Sequence, residues 1–365
     1  MTTPALATPK RRVPFWDNAR FVAVTLVVIG HGIQRLTADS DNALIVYLFI
    51  YAFHMPAFAM ISGYFSKASP PGSRQMKKVL TDILLPYVIM ELIWTSVQFL
   101  VEGQQDFNPT KPSWTLWFLL ALGIFRLVLP YLALLKWPLL WAVLLSIGVG
   151  YFNNVDSTFS LSRAIGIMPF FVLGWQVRQW GLVDRWRAAE RVTWWVRSAA
   201  AVVLGAWLAA VVVFIPFFRL VDLRFWFFYD DSYQALGEDQ WWAGLVRFAL
   251  ILLAVLLSAA FFVLVPRSET WMTDFGKATM YIYLLHSFVL YPIRETGILR
   301  NDHSSAMWLL SMILACIAIS IALASPLVRR IFWPIIEPKP QWLFIPLPDE
   351  RPSRRDPTGS RRERN

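Results

Sequence analysis

Apolar residues run in blocks of about 20 along almost the whole chain, broken by short clusters of charge, which is the spacing a bilayer demands of membrane-crossing helices. The blocks predict ten transmembrane helices at about 17–36, 43–63, 78–101, 114–135, 138–152, 164–180, 196–218, 243–265, 275–298 and 306–328, the fifth being the shortest. The fold class expected is an all-α polytopic membrane protein. A polar segment over 1–16 leads into a membrane domain over 17–335, and a basic tail over 336–365 is expected to be disordered. No stretch is left for a sizeable soluble catalytic domain, so any chemistry belongs within or between the spans.

Charge sets an orientation. Lys67, Arg74, Lys77 and Lys78 lie between the second and third blocks, and Arg178, Arg185, Arg187, Arg191 and Arg197 between the sixth and seventh. The tail runs basic from Arg351 to Arg364. Acidic residues mark the other loops: Asp39 and Asp41, Glu102 and Asp106, then Asp230, Asp231, Glu238 and Asp239. The positive-inside bias then puts both termini in the cytoplasm of a multi-pass cell-membrane protein. Trp16, Trp114, Trp137, Trp180, Trp194, Trp241 and Trp271 fall near predicted span ends, where an aromatic belt belongs. The segment Lys10-Arg11-Arg12 precedes a long span with no small-residue cleavage site, which reads as a retained first helix.

Composition supports this picture, with 57% hydrophobic and 16% charged residues. The net charge of +10 would suit nucleic acid, but its loop-wise placement fits membrane topology instead. The arginine-rich tail reads as a solvated end near anionic lipid. The single cysteine, Cys316, lies in an apolar span, so no disulfide can form within the chain and no metal cluster is expected. No fixed-period or inverted repeat stands out, which disfavours a transporter built from matched halves.

Ionisable groups inside the spans carry the functional signal, because a bilayer makes them expensive. Arg20 and His31 are eleven residues apart, so they share one helix face about 16 Å apart along the axis. Counting about 1.5 Å per residue from the span ends brings His54 and His286 to the depth of His31, with Arg126 within about a turn of it. Each histidine taken alone is equally explained as an interhelical hydrogen-bonding group. His303 falls in an outer loop, where solvation is the default. At the inner border, Asp17 and Arg20 open the first helix while Arg74, Lys77 and Lys78 lead into the third. Such charges ordinarily mark topology, yet converging Arg and Lys also suit phosphate groups. Arg163, at the outer end of the sixth span, reads as an acceptor contact or a snorkelling arginine. Glu91, deep in the third, reads as a partner of a buried cation or a histidine.

The run Asp17-Asn18-Ala19-Arg20, ten residues, His31, then Phe53-His54-Met55-Pro56-Ala57-Phe58 and Ser62-Gly63-Tyr64-Phe65, resembles the integral-membrane acyltransferase 3 family, with the flavour of its fucose 4-O-acetylase-like branch. Leu116-Trp117-Phe118-Leu119, Pro169-Phe170-Phe171-Val172-Leu173-Gly174 and Tyr283-Leu284-Leu285-His286 are supporting matches. The resemblance implies transfer of an acyl group, commonly acetyl from cytoplasmic acetyl-CoA, to a hydroxyl of a sugar or glycan, and importance for the Arg20 and His31 pair. The family's paired-arginine motif is represented by Arg74-Gln75-Met76-Lys77, where lysine keeps the charge but loses the bidentate fork.

On this reading His31 is the general base, since imidazole works near neutral pH without large tuning. Arg20, with Arg74, Lys77 and Lys78, holds donor phosphate; Asp17 pairs with Arg20 or Arg74, and His54 positions a substrate oxygen or helps polarise the carbonyl, while direct transfer and a covalent acyl-histidine route both stay open. The partners expected are an acyl-CoA donor, a sugar or glycan hydroxyl acceptor and lipid, with no nucleic acid and no permanently bound cofactor. The competing class is a multi-pass transporter or flippase of a small molecule or lipid-linked sugar, with the histidines as proton relays. No P-loop, dinucleotide fingerprint, nucleophile elbow or His-Glu-x-x-His occurs in the sequence, which makes soluble-type kinase, dehydrogenase and hydrolase readings unattractive.

Overall fold

A computed structural model describes residues 12–69, 72–103, 107–189, 194–295, 305–339 and 341–344. Lys10, Arg11, Asp106, Arg191, His303 and the tail from Arg351 to Arg364 lie outside the described residues.

Among the described residues the chain is helical, without a strand. The helices are α1 (Pro14–Ile33), α2 (Asp41–Tyr51), α3 (His54–Tyr64), α4 (Ser73–Val79), α5 (Leu85–Glu102), α6 (Trp117–Leu132), α7 (Pro138–Val149) and α8 (Leu161–Gln179). They continue with α9 (Leu182–Ala188), α10 (Trp194–Val213), α11 (Ile215–Leu220), α12 (Leu223–Trp226), α13 (Ala243–Leu264) and α14 (Thr273–Gly276). The last three are α15 (Thr279–Glu295), α16 (Ala306–Leu323) and α17 (Pro326–Ile336). Seven continuous helical stretches among the described residues are long and apolar enough to cross a membrane: Pro14–Thr37, Asp41–Tyr64, Ser73–Glu102, Thr158–Gln179, Trp194–Val213, Ala243–Leu264 and Ala306–Leu323. Where the other three spans are expected, the structure has shorter helices. The fourth and fifth are α6 and α7, and the ninth is α15, whose polar side chains dilute its hydropathy.

Local chemistry explains where the helices depart from the hydropathy blocks. The second block bends at Ala52 and Phe53, because Pro56 has no N–H to bond back into the preceding turn. The Phe53 carbonyl is taken up by the Ala57 N–H at 2.8 Å and the buried Ser258 hydroxyl at 3.4 Å. In the third, Leu80–Leu84 widens into a π turn just before Pro86, which lets the helix run on past a missing donor. The fourth starts at Trp117, because Trp114 holds a left-handed φ of 51°.

Helix α1 sits at the centre, packed on α3, α14, α15 and α16, while α3 crosses α8. That crossing is a reciprocal glycine contact. A Cβ on Gly63 would collide with the Phe171 carbonyl, and one on Gly174 with the Met60 carbonyl, so both backbones approach as only glycine allows. The contact fixes α3, and with it His54, against the α8 that carries Arg163.

Candidate active site

Two cavities meet inside the helix bundle. One, of about 240 Å³, is bordered by His31, Gln34, Tyr51, His54, Trp114, Thr115, Trp117, Arg163 and Arg294. The other, of about 810 Å³, lies toward the first turn of α1 and is bordered by Arg20, Ser62, Ser66, Lys67, Arg74, Lys78, Asp82 and Arg126. Val27, Met55 and Tyr283 border both, so these three side chains form the neck between the chambers.

Helix periodicity produces this alignment. Arg20, Val27 and His31 are seven and four residues apart and stand on one stripe of α1. On α3, Met55, Phe58 and Ser62 follow the same rule, with Ser66 just beyond its end, as do Thr279 and Tyr283 on α15, which continue to Arg294 on the smaller chamber. The Tyr283 hydroxyl donates to the Thr115 carbonyl, and the Thr115 and Ser287 hydroxyls meet at 2.9 Å. These bonds tie the neck to the start of α6.

The smaller chamber holds the histidines. His54 Nδ1 lies 3.0 Å from the Ile50 carbonyl and His286 Nδ1 lies 3.1 Å from the Ile282 carbonyl. A carbonyl can only accept, so each Nδ1 carries the proton and each neutral ring keeps its lone pair on Nε2. His286 is fully buried, its Nε2 has no partner, and its ring centroid is 5.5 Å from that of His31. His31 is the least buried of the three and sits on the chamber wall with Gln34 in hydrogen-bonding reach. The three histidines expected at one depth therefore do gather, His31 and His54 on the wall and His286 directly behind His31.

Arg163 joins the same chamber. Its guanidinium pairs with Asp230 and lies 4.6 Å from the Trp117 ring centroid and 5.8 Å from that of Phe228. Arg294, unremarked in the sequence, lies 4.5 Å over Trp114 on another side of the same space. Trp114 on this wall holds a left-handed φ of 51°, a conformation that non-glycine residues adopt only at a cost, and Tyr229, next to the lining residue Phe228, holds one of 56°.

The larger chamber collects the basic cluster. Arg20 donates to Asp17 at 3.1 Å, and Asp17, buried, also meets Arg12 at 3.5 Å. Asp17 thus lies behind Arg20 and borders neither chamber. Its neighbour Asn18 has its full hydrogen-bonding capacity used: its amide donates to the Pro266 and Ser268 carbonyls at 3.0 Å each, and its oxygen accepts from Thr270 at 3.0 Å and Thr273 at 2.7 Å. This clamp explains why the Asp17-Asn18-Ala19-Arg20 run holds the first turn of α1 rigidly beside α14. Arg74 and Lys78 border the chamber; Lys77 lies one position around the helix, 5.6 Å from the Phe344 ring centroid.

Arg126, expected within about a turn of the histidine depth, borders the basic chamber together with Asp82, since depth along α6 does not fix which face of the bundle a side chain enters. One expectation is corrected. Glu91 holds neither a cation nor a histidine. It accepts from the Ser113 N–H at 3.0 Å and the Ser113 hydroxyl at 2.6 Å, and so pins the loop that leads to Trp114.

The comparisons bear on this geometry. A profile described as an acyltransferase domain matches residues 13–325, which takes in both chambers. The chain belongs to the acyltransferase 3 family. The matched residues hold all seven of the described helical stretches that are long and apolar enough to cross a membrane. It is also 27% identical over 183 residues to nodulation protein NolL of Mesorhizobium japonicum, a match that covers 45% of this chain and 47% of that protein. The chain thus spans about half the length of this curated relative. No solved structure matches it significantly.

Proposed function

We propose that the chain moves an acetyl group from cytoplasmic acetyl-CoA to a hydroxyl of a sugar or glycan, in the manner of the fucose 4-O-acetylase-like branch, with His31 as general base. The observation that carries this reading is the shared neck: Val27, Met55 and Tyr283 join a basic chamber suited to phosphates to a smaller one lined by histidines. Both chain termini lie in the cytoplasm, at the cell membrane. The coenzyme phosphates bind Arg20, Arg74 and Lys78, with Lys77 at the rim, and the pantetheine arm threads the neck to bring the thioester to His31. The hydroxyl proton passes to the free imidazole nitrogen of His31 as the oxygen attacks the thioester carbonyl. Collapse of the tetrahedral adduct breaks the C–S bond, and the imidazolium returns its proton to the departing thiolate. His54, whose Nε2 can only accept, orients the attacking hydroxyl by taking a hydrogen bond from a neighbouring one.

The test is transfer itself. Purified protein in proteoliposomes receives acetyl-labelled acetyl-CoA on the basic side and candidate sugars on either side. The expected result is label in an ester on the sugar and stoichiometric release of CoA thiol. Absence of thioester consumption above protein-free vesicles, with every acceptor offered, overturns the proposal.

A further inference from the structure

The wall of the smaller chamber contains two guanidinium groups, Arg163 and Arg294, and no carboxylate. We propose that this chamber recognises an acceptor that carries an anion, a carboxylate or a phosphate, beside the hydroxyl to be acylated. This rests on the acyl-transfer reading, and it names the acceptor class which that reading leaves open.

Three observations carry it. First, the carboxylates that balance the two arginines do not border the chamber: Asp230 pairs with Arg163, and Glu295 is shared between Arg294 at 3.5 Å and Arg35 at 3.0 Å. A ligand in the chamber therefore meets the cations and not their counterions. Second, each guanidinium lies over an indole, Arg163 at 4.6 Å from the Trp117 ring centroid and Arg294 at 4.5 Å from that of Trp114. A guanidinium held against an indole face has less freedom to lose when it binds a carboxylate or phosphate. Third, the Nε of Arg163 is buried without a hydrogen-bond acceptor, so Asp230 does not use up the bonding capacity of this guanidinium.

Size and position agree. At about 240 Å³ the chamber falls below the range of about 300–1,000 Å³ of pockets for drug-sized ligands, so it suits a unit on the scale of one sugar ring. Arg163 and Arg294 share this single small space with His31, so a substituent held by the guanidiniums leaves a ring hydroxyl within the same chamber as the base. An anionic acceptor adds charge-assisted contacts to both guanidiniums that a neutral hexose cannot make, and selection between charged and neutral acceptors follows.

Direct binding without donor separates this claim from acyl transfer. The full-length protein in nanodiscs is titrated with methyl glucoside, methyl glucuronide and glucose 6-phosphate in low salt. One of the two anionic sugars is expected to bind at least about tenfold tighter than methyl glucoside, consistent with one charge-assisted hydrogen bond or more. Which of them wins identifies the anion as carboxylate or phosphate. The advantage should shrink with added salt, and should fall toward unity in Arg163→Gln and in Arg294→Gln, while Lys136→Gln, an exposed loop position, retains it. Equal affinity for all three sugars, no binding of either anionic sugar at millimolar concentration, or a preference that survives the double Arg163→Gln, Arg294→Gln substitution overturns the inference. The wild-type comparison and its salt dependence decide the matter even if a variant fails to fold. Loss of acetyl transfer with this preference intact would instead count against the catalytic proposal alone.

Discussion

Substituting the three clustered histidines one at a time separates the roles that their surroundings assign. His31 lies on the chamber wall and bonds no backbone carbonyl of its own helix, so His31→Gln removes a base while leaving the helix ladder intact. A positioned general base contributes roughly 10²–10⁴ in rate, or about 3–5 kcal/mol at about 1.36 kcal/mol per decade. His54 and His286 each spend Nδ1–H on a carbonyl four residues back, at 3.0 and 3.1 Å. Removing either costs about 1 kcal/mol of stability. His54→Gln should then lose about tenfold in kcat/KM for the acceptor, as a positioning hydrogen bond would. His286→Gln, acting on catalysis only through the packing of its ring against His31, should fall between wild type and His31→Gln. The assay is acetyl transfer from labelled acetyl-CoA by detergent-purified protein, alongside thermal unfolding followed by tryptophan fluorescence. The decisive comparison is kcat/KM in variants whose unfolding midpoint is unchanged. If folded His31→Gln retains more than a tenth of wild-type turnover, or if His54→Gln is the more damaging of the two, His31 is not the base and the assignment fails.

Three further outcomes follow from the same geometry. Asn18→Asp keeps the acceptor toward Thr270 and Thr273 but turns an oxygen toward the Pro266 and Ser268 carbonyls, so it should cost about 3 kcal/mol, two lost bonds plus the repulsion that replaces them. An unfolding midpoint within a degree of wild type would refute the clamp. Replacing Arg74 and Lys78 together by glutamine should raise the KM for acetyl-CoA by about tenfold or more while kcat changes little, and an unchanged KM would remove both from the donor site. Val27→Phe adds bulk at the neck, so transfer should fall by about a hundredfold while CoA binding, measured by calorimetry, stays within a few-fold. Equal loss of both would show that Val27 only supports the fold.

What the sequence could disclose was the coordinate along each helix. The rise per residue puts Arg20 and His31 on one face of α1 and brings His54 and His286 to the same depth, and the histidines do gather. The coordinate around the bundle was not legible, because it depends on which helices touch. Arg126 has the right depth, yet α6 presents it to the basic chamber, and Glu91 points to the Ser113 backbone because the loop before Trp114 folds back over α5. Nothing in the sequence singles out Arg294, and only its place over Trp114 and the approach of α15 to α1 reveal it as part of the wall. The Tyr283-Leu284-Leu285-His286 run was noticed for its histidine, while its tyrosine, one turn away, turns out to border the neck.

The same asymmetry separates the two chambers. The basic run from Arg74 to Lys78, to which the proposed reaction gives the donor phosphates, lies within one short stretch of α4. The smaller chamber, to which it gives the acceptor, draws on α1, α3, α8, α15 and the loop before α6, and no local pattern ties those segments together. Residues that set acceptor choice are thus free to change in separate helices without disturbing the α1 stripe that holds Arg20, Val27 and His31. Acceptor specificity should therefore shift on substitution at Arg163 or Arg294, whereas loss of the chemistry requires disturbing α1.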